Sequence, residues 1–342
     1  MAINVTKPSV NLREKLNELE TNKGLKGNEI LQAETAQEVR SLIGAGRKNL
    51  IINGGFDVWQ RGTSFSGVSN GAYTADRWTI LDSVGNNITT VTPKTTTDKY
   101  TYVEKTSGTG SGGLHQFVEI NHLIPSGTNL VISFDGTHLS GTNSYRVVIQ
   151  YRPNSSWSGV SSEIGTLTFV TSEGLNSLTV TTTEDMVQGD MAVKILPNTT
   201  GNYKYGIAEV QLELGSVATD FEHRSYGEEL ALCQRYFWAT AFLNTGVYNT
   251  DTVVFCTLNA PVTFRTAPTV SMKSGTYTNI NIEKEDAYDI SNVAFGHGTT
   301  QAYYLANPVL MLTTPTRTGF AGQAGMVSCD RNDDAFFFEA EL

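Results

Sequence analysis

The chain has 342 residues, of which 17% are charged, with 32 glycines and a formal net charge of −10. Residues 1–50 hold eight Lys and Arg against six Asp and Glu, a net charge of +2, which leaves −12 for the remainder. That acidic remainder excludes non-specific nucleic-acid binding, which needs a basic surface. Few charges and abundant Thr, Ser, Tyr and Phe predict an all-β protein, and the length favours more than one domain.

The amino-terminal sequence and the cysteines indicate the compartment. The start, MAINVTKPSVNL, lacks the apolar core of a signal peptide, and no apolar run approaches the roughly 18 residues of a membrane span. We therefore expect a chain made in a cytoplasm, with no membrane insertion. Cys233, Cys256 and Cys329 match no metal spacing and are expected to be free thiols, mostly buried.

Residues 1–48 differ from the rest of the chain and predict two short helices. Asn11 with Glu14, and Thr35 with Glu38, both have the spacing of a helix capping box before an apolar face. Helices this short are unstable alone in water, so the segment must dock on the body of the chain or on another subunit. The sequence favours a short multi-chain bundle or an anchor to a larger assembly.

From residue 49 the apolar period changes to two, which predicts a β-sandwich of the jelly-roll type. Asn53-Gly54-Gly55 is a strong turn signal within this region. The predicted strands are 77–81, 88–92, 100–105, 114–120, 129–134, 145–151, 165–169, 178–182, 191–196 and 205–214.

A smaller set of strands is predicted nearer the carboxyl terminus: 237–243, 252–260, 269–273, 280–282, 293–295, 302–312 and 335–342. Phe336-Phe337-Phe338 is too apolar to be left exposed, so the fold or a neighbouring chain must cover it. Residues 208–238 connect the two sets and predict a hinge, with one possible helical turn at 227–233. The predicted domains are 1–48, 49–225 and 226–342.

Two glycine-rich strings match the spacing of functional motifs but lack the secondary structure that those motifs need. Residues 108–113, GTGSGG, match a dinucleotide fingerprint, but strand character follows where a helix is needed. Residues 67–71, GVSNG, match a nucleophile elbow, but no helix follows the serine. We interpret the first as a β-loop and the second as a turn.

One acidic string resembles a calcium loop. Asp330, Asn332, Asp334 and Glu341 occupy positions one, three, five and twelve of that template. Position six is Ala335 instead of glycine, and strand character follows. We interpret the string as a solvated acidic turn, with a partial oxygen site left open.

No catalytic residue is predicted. Glu209, Glu213, Asp220 and Glu222 could suggest the carboxyl pair of a glycosidase, but Glu209 and Glu213 are interpreted as the solvent face of an amphipathic strand. Neither a close i, i+4 pair nor a triad order is present among the five histidines: His115, His122, His138, His223 and His297. We predict no cofactor-binding residue and no metal ligand either.

Tyrosines of the distal part could stack on sugar rings, although most aromatic side chains of sandwiches belong to the core. These are Tyr248, Tyr277, Tyr288, Tyr303 and Tyr304. Their sequence context does not separate the two uses, so the receptor-binding residues are left unassigned.

Three strings occur in order: NLIINGGFDVWQRG at 49–62, YTADRW at 73–78 and EVQLELGSVATDFEHRSYGEELALCQRYF at 209–237. Together they resemble the fibre and receptor-binding proteins of tailed bacteriophages, especially short-tailed phages of marine bacteria. The resemblance implies a jelly roll like that of carbohydrate-binding modules, a homotrimer, a place on the virion, and no cofactor. Members are generally not enzymes, though some phage fibres are depolymerases.

The leading hypothesis is a non-enzymatic virion fibre or adhesin. Residues 1–48 would anchor it to other virion structural proteins, and the β-domains would bind host surface polysaccharide. One alternative is a capsid-attached fibre or decoration protein without a receptor role. A second alternative is a polysaccharide depolymerase.

Overall fold

A computed structural model describes residues 48–82, 88–107, 112–141, 144–153, 162–170, 174–197, 201–240, 242–250, 253–257, 260–272, 278–281, 292–295, 309–313, 324–329 and 336–341. Met1–Leu50 and Ile51–Leu342 form two compact units. The two predicted amino-terminal helices lie outside the described residues.

Among the described residues, eleven strands form the first part of the larger unit. They are β1 (Phe65–Val68), β2 (Thr79–Asp82), β3 (Ile88–Thr92), β4 (Thr101–Lys105), β5 (Gly112–Glu119), β6 (Asn129–Ser140), β7 (Ser144–Arg152), β8 (Ser162–Val170), β9 (Gly174–Thr181), β10 (Asp190–Pro197) and β11 (Tyr203–Leu214). They make a six-stranded sheet in the order β1-β3-β4-β11-β6-β9 and a five-stranded sheet in the order β2-β5-β10-β7-β8.

The two sheets pack face to face around aromatic side chains. Tyr145 of the five-stranded sheet meets Tyr205 of the six-stranded sheet edge-on, with ring centroids 5.2 Å apart. The Tyr203 hydroxyl donates to the carbonyl of Gly112 at 2.8 Å, which joins the sheets through a buried polar contact. All paired neighbours are antiparallel, so the prediction of an all-β protein built on a jelly-roll sandwich is confirmed.

The second part begins with a helix and continues in short strands. These are α1 (Tyr226–Gln234), β12 (Phe237–Thr240), β13 (Phe242–Thr250), β14 (Val253–Thr257), β15 (Thr269–Met272), β16 (Thr278–Asn281), β17 (Asn292–Phe295), β18 (Val309–Thr313), β19 (Ala324–Cys329) and β20 (Phe336–Glu339). They form a three-stranded sheet, β12-β20-β15, and a six-stranded sheet, β16-β19-β13-β14-β18-β17.

Local sequence explains how α1 begins and why β20 is covered. Ser225 is the N-cap of α1, and its side chain and that of Glu228 make a reciprocal capping box. Phe336 and Phe338 are fully buried, and the ring of Phe338 stacks on those of Trp238 at 5.2 Å and Phe264 at 6.0 Å. The prediction that the fold or a neighbouring chain covers these phenylalanines is confirmed, and the fold covers them.

The turn at Asn53 is confirmed, but the alternating apolar residues on either side of it do not form strands. Asn53 is fully buried, and its side-chain amide donates to the carbonyls of Val58 at 2.9 Å and Asp76 at 3.0 Å. Its backbone N–H donates to a carboxylate oxygen of Glu229 in α1. The apolar residues near Asn53 therefore belong to a folded loop that connects the sandwich to the helix.

The glycine strings also differ in part from their predictions. Gly67 belongs to β1, and the turn begins only after Val68, with Gly71 at a φ of +79°. Gly112 and Gly113 already belong to β5, and residues 108–111 lie outside the described residues. A strand follows the GTGSGG string, as predicted, so the dinucleotide interpretation has no helix to support it.

Candidate functional site

A β-bulge divides β11 into two halves with different surroundings. Ala208 pairs with Asp135 and Gln211 pairs with Ser133, so Glu209 and Val210 together oppose one residue of β6. The backbone of Glu209 has a φ of +54°, and the N–H of Val210 donates to the carbonyl of Gly54 at 2.9 Å. A bulge of this kind shifts the alternation of side chains by one residue.

Beyond the bulge, the outward side of β11 is buried. The carboxylate of Glu213 is only 2% exposed and accepts the N–H and the hydroxyl of Thr219, each at 2.8 Å. The side-chain oxygen of Gln211 accepts the N–H of Glu222 at 2.9 Å. The prediction that Glu213 lies on a solvent face is therefore wrong, because residues 215–222 return across this half of the strand and cover it.

Before the bulge, the outward side of the same sheet carries two tyrosines. Tyr100 and Tyr102 are half-buried, two residues apart along β4 and its approach, and their ring centroids are 6.3 Å apart. Gly206 of β11 lies opposite Tyr102 in the register. We call this surface the tyrosine face and define it by Tyr100, Tyr102, Gly206, Ala208 and Asp135.

Hydrogen bonds fix both tyrosine rings of this face. The hydroxyl of Tyr100 donates to Asp135 at 2.8 Å, and that of Tyr102 donates to Asp98 at 2.7 Å. Lys99 makes an ion pair with the other carboxylate oxygen of Asp135. Each ring is therefore held before any ligand arrives, which lowers the entropy lost on binding.

Glycine is required beneath the rings. A Cβ at Gly206 would lie 2.7 Å from the Cγ2 of Thr137, 2.8 Å from the Cβ of Tyr100 and 2.8 Å from the Cε1 of Tyr102. Gly206 thus lets Tyr102 lie close over β11. With Ala208 beside it, the floor next to the rings carries only small side chains.

Charged side chains around the tyrosine face remain accessible to solvent. The side chain of Lys99 is 48% exposed, and Lys204 and Glu104 form a cross-strand ion pair at 3.2 Å with side chains 37% and 32% exposed. Glu209 is partly exposed beside them. Half-buried aromatic rings next to accessible carboxylates and ammonium groups can contact a polar ligand that also has an apolar surface.

A second polar cluster is buried where the sandwich meets the carboxyl-terminal strands. Glu341, just after β20, accepts from Arg61 at 3.1 Å and also from Arg77. The guanidinium of Arg77 lies 3.6 Å from the centre of the Tyr236 ring, and that of Arg61 lies 3.6 Å from the centre of the Phe237 ring. This cluster is closed to a ligand and attaches the two parts of the unit to each other.

Burial shifts the protonation of Asp76 in this cluster. Desolvation raises the pKa of its carboxyl from 3.8 to about 6, against the opposing effects of Arg61 and of two hydrogen bonds from Gln60. Arg61 lies 3.9 Å away, and Asp76 is fully buried. The raised pKa is explained by burial inside a structural contact, in which Asp76 has no exposed surface.

The outward side of the five-stranded sheet also carries polar side chains. Arg152 and Asp190 make a bidentate ion pair at 2.6 and 2.8 Å, and the Arg152 guanidinium lies 3.7 Å from the centre of the Phe117 ring. Burial lowers the pKa of nearby His115 to about 3, so its imidazole is neutral at pH 7. The ion pair is almost completely buried, which suits a structural role.

The remaining predicted candidates are not brought together. Glu341, at the twelfth position of the calcium template, binds the two arginines, and Asp330, Asn332 and Asp334 lie outside the described residues. The side chains of the five distal tyrosines also lie outside them. Cys233 is a free, buried thiol, as predicted, and burial raises its pKa.

Sequence reasoning did not single out the tyrosine face. Its signal was present in Tyr100 and Tyr102, two aromatic residues on the polar side of a predicted strand, next to Asp98 and Lys99. Asp135 could not be connected to them, because it comes from β6 and reaches the face only through the sheet order.

The described residues show neither a metal-binding cluster nor a membrane-spanning helix. The part of the chain that the structure describes holds no group of three or more His, Cys, Asp or Glu able to bind a metal ion. None of its helices is both long enough and apolar enough to span a membrane.

No protein-family model and no curated protein matches the chain. Solved structures resemble part of it. A putative sugar binding protein from Bacteroides thetaiotaomicron VPI-5482 has 14% identity and a TM-score of 0.34 over 49% of this chain and 100% of that one. TmCBM61 in complex with beta-1,4-galactotriose has 12% identity and a TM-score of 0.27 over 49% and 99%. The enzymatically active domain of Bacteriophage CBA120 tailspike protein 4 has 14% identity and a TM-score of 0.33 over 49% and 21%.

Proposed function

We propose that this chain is a glycan-binding adhesin and that the tyrosine face holds the sugar. The observation that carries the proposal is the pair of rings of Tyr100 and Tyr102, fixed by Asp135 and Asp98 on an outward sheet surface. A pyranose ring presents an apolar C–H surface to an aromatic face and hydroxyls at its edge. Tyrosine rings supply the apolar contact at low entropic cost, and the surrounding carboxylates and lysines can bind the hydroxyls.

We further propose that the adhesin is a fibre on the virion of a tailed bacteriophage. The resemblance of residues 49–62, 73–78 and 209–237 to phage fibre proteins supports this assignment. In the proposed assembly three copies associate, and residues 1–48 attach them to other virion structural proteins. Host surface polysaccharide is then the natural ligand, and the chain binds it without cleaving it.

The first experiment measures glycan binding by the full chain on an array of bacterial surface oligosaccharides. Tyr102→Ala is expected to weaken binding about fivefold or more, because truncating an aromatic residue at the centre of a binding surface costs more than about 1 kcal/mol. Tyr102→Phe keeps the ring and is expected to retain most of the binding. Tyr226→Ala is the matched control, because Tyr226 is 60% exposed, lies on α1 and is not one of the residues that define the face.

Three results would contradict the proposal. Wild-type binding to no glycan would remove the adhesin function and favour a decoration protein. Equal binding by wild type and Tyr102→Ala, with both proteins folded by circular dichroism, would move the site to another surface. The appearance of new reducing ends after incubation with the bound polysaccharide would show cleavage, and the depolymerase hypothesis would then replace the adhesin proposal.

A further inference from the structure

Glu209 lies on the outward side of the six-stranded sheet because of the bulge in β11. Ala208 faces outward, since it is paired with Asp135, and Val210 is fully buried in the core. Without an extra residue, position 209 would face the core. The bulge instead puts Ala208 and Glu209 one after the other on the outward side, at the border of the tyrosine face.

The backbone at this position favours glycine. Its φ of +54° lies in the left-handed region, which non-glycine residues adopt at an energetic cost. The bond from the N–H of Val210 to the carbonyl of Gly54 holds the bulge in place. The sequence therefore has a glutamate where glycine would be less strained, and residues in this state are concentrated at ligand-binding sites.

Charge around the tyrosine face is unbalanced. Four carboxylates, those of Asp98, Glu104, Asp135 and Glu209, surround it with two ammonium groups, those of Lys99 and Lys204. Lys99 pairs with Asp135 and Lys204 pairs with Glu104, so four minus two leaves a net charge of −2. The pKa of Lys99 is raised by its hydrogen bond to Asp135 and by the negative charges of Asp135 and Glu209.

We propose that Glu209 contacts the ligand and makes the tyrosine face select uncharged glycans over anionic ones. This inference rests on the proposed function. A carboxylate accepts hydrogen bonds from the hydroxyls of a neutral hexose. It repels the carboxylate of a hexuronate, and such repulsion gives specificity as effectively as a new attraction does.

The test is an array of neutral hexose oligosaccharides and their hexuronate counterparts in the same linkages. We expect the wild-type chain to bind the neutral member of a pair at least tenfold more tightly. Glu209→Gln should weaken neutral binding about tenfold and reduce the discrimination, because a hydrogen bond to a charged group is lost. Glu184→Gln, at another partly exposed glutamate, is the matched control.

Glu209→Gly separates a ligand contact from a structural role. We expect this variant to lose binding while its melting temperature stays equal to that of the wild type or rises, because glycine adopts the observed φ without strain. If both Glu209 variants keep the affinity for neutral glycans and Tyr102→Ala loses it, this inference is overturned. The proposed function would still stand in that case. Equal wild-type affinity for hexuronates would also overturn the inference, and absence of any glycan binding would overturn both.

Discussion

At the scale of single residues, Glu341 joins the last described strand to the sandwich by satisfying two buried arginines. Arg61 and Arg77 have side chains 10% and 1% exposed, and both donate to this carboxylate. An arginine that loses its carboxylate in such a place stays buried with an uncompensated charge. The calcium template in the sequence missed this role, because the two arginines are more than 250 positions away along the chain.

Glu341→Ala is expected to lower the free energy of unfolding by about 3 kcal/mol or more. Urea denaturation monitored by tryptophan fluorescence measures this change. Glu339→Ala is the control, since Glu339 is 46% exposed and lies 3.8 Å from Arg61, and it should cost less than about 1 kcal/mol. Equal losses for both variants would show that Glu341 has no special role in this cluster.

Asp76 should make stability depend on pH. Its folded pKa of about 6 exceeds its ordinary value of 3.8, so between these values the folded state binds more protons than the unfolded state. The contribution of Asp76 to the free energy of unfolding is therefore highest at low pH, and it is lost as the pH rises through about 6. Urea unfolding of wild type and Asp76→Asn from pH 4 to 8 should give a difference that changes across this range. A difference that stays constant across this range would contradict the assignment.

At the scale of elements, β11 shows what sequence patterns predict and what they miss. The period of two predicted the sandwich strands, and β3 was predicted to the residue. The same alternation put Glu213 in solvent, because no local pattern reveals that residues 215–222 return over the strand. The bulge at Glu209 was missed for a similar reason, since Gly54, which holds it, is distant in sequence.

Glu213→Ala tests whether the returning segment depends on this one buried carboxylate. The substitution removes the acceptor of the Thr219 N–H and hydroxyl and should lower the free energy of unfolding by about 1 to 3 kcal/mol. Amide hydrogen exchange should also become faster in residues 215–222. Unchanged exchange there would mean that the segment is held by other contacts.

At the scale of the whole molecule, the proposal combines an adhesive sandwich with assembly through the amino-terminal segment. Short helices at residues 1–48 are predicted to be unstable alone, which favours association with other chains. The full-length protein should therefore elute in size-exclusion chromatography with a light-scattering mass of three chains. A single-chain mass at micromolar concentration would contradict the trimer and leave the glycan site unaffected.

The most direct test of the glycan site is a crystal structure of the full chain with the best-binding neutral oligosaccharide. The proposal predicts a sugar ring within about 4 Å of the Tyr100 or Tyr102 ring, with hydroxyls that reach Asp135 or Glu209. Sugar density on the Phe117 side of the five-stranded sheet, or only on the carboxyl-terminal strands, with an empty tyrosine face, would contradict it.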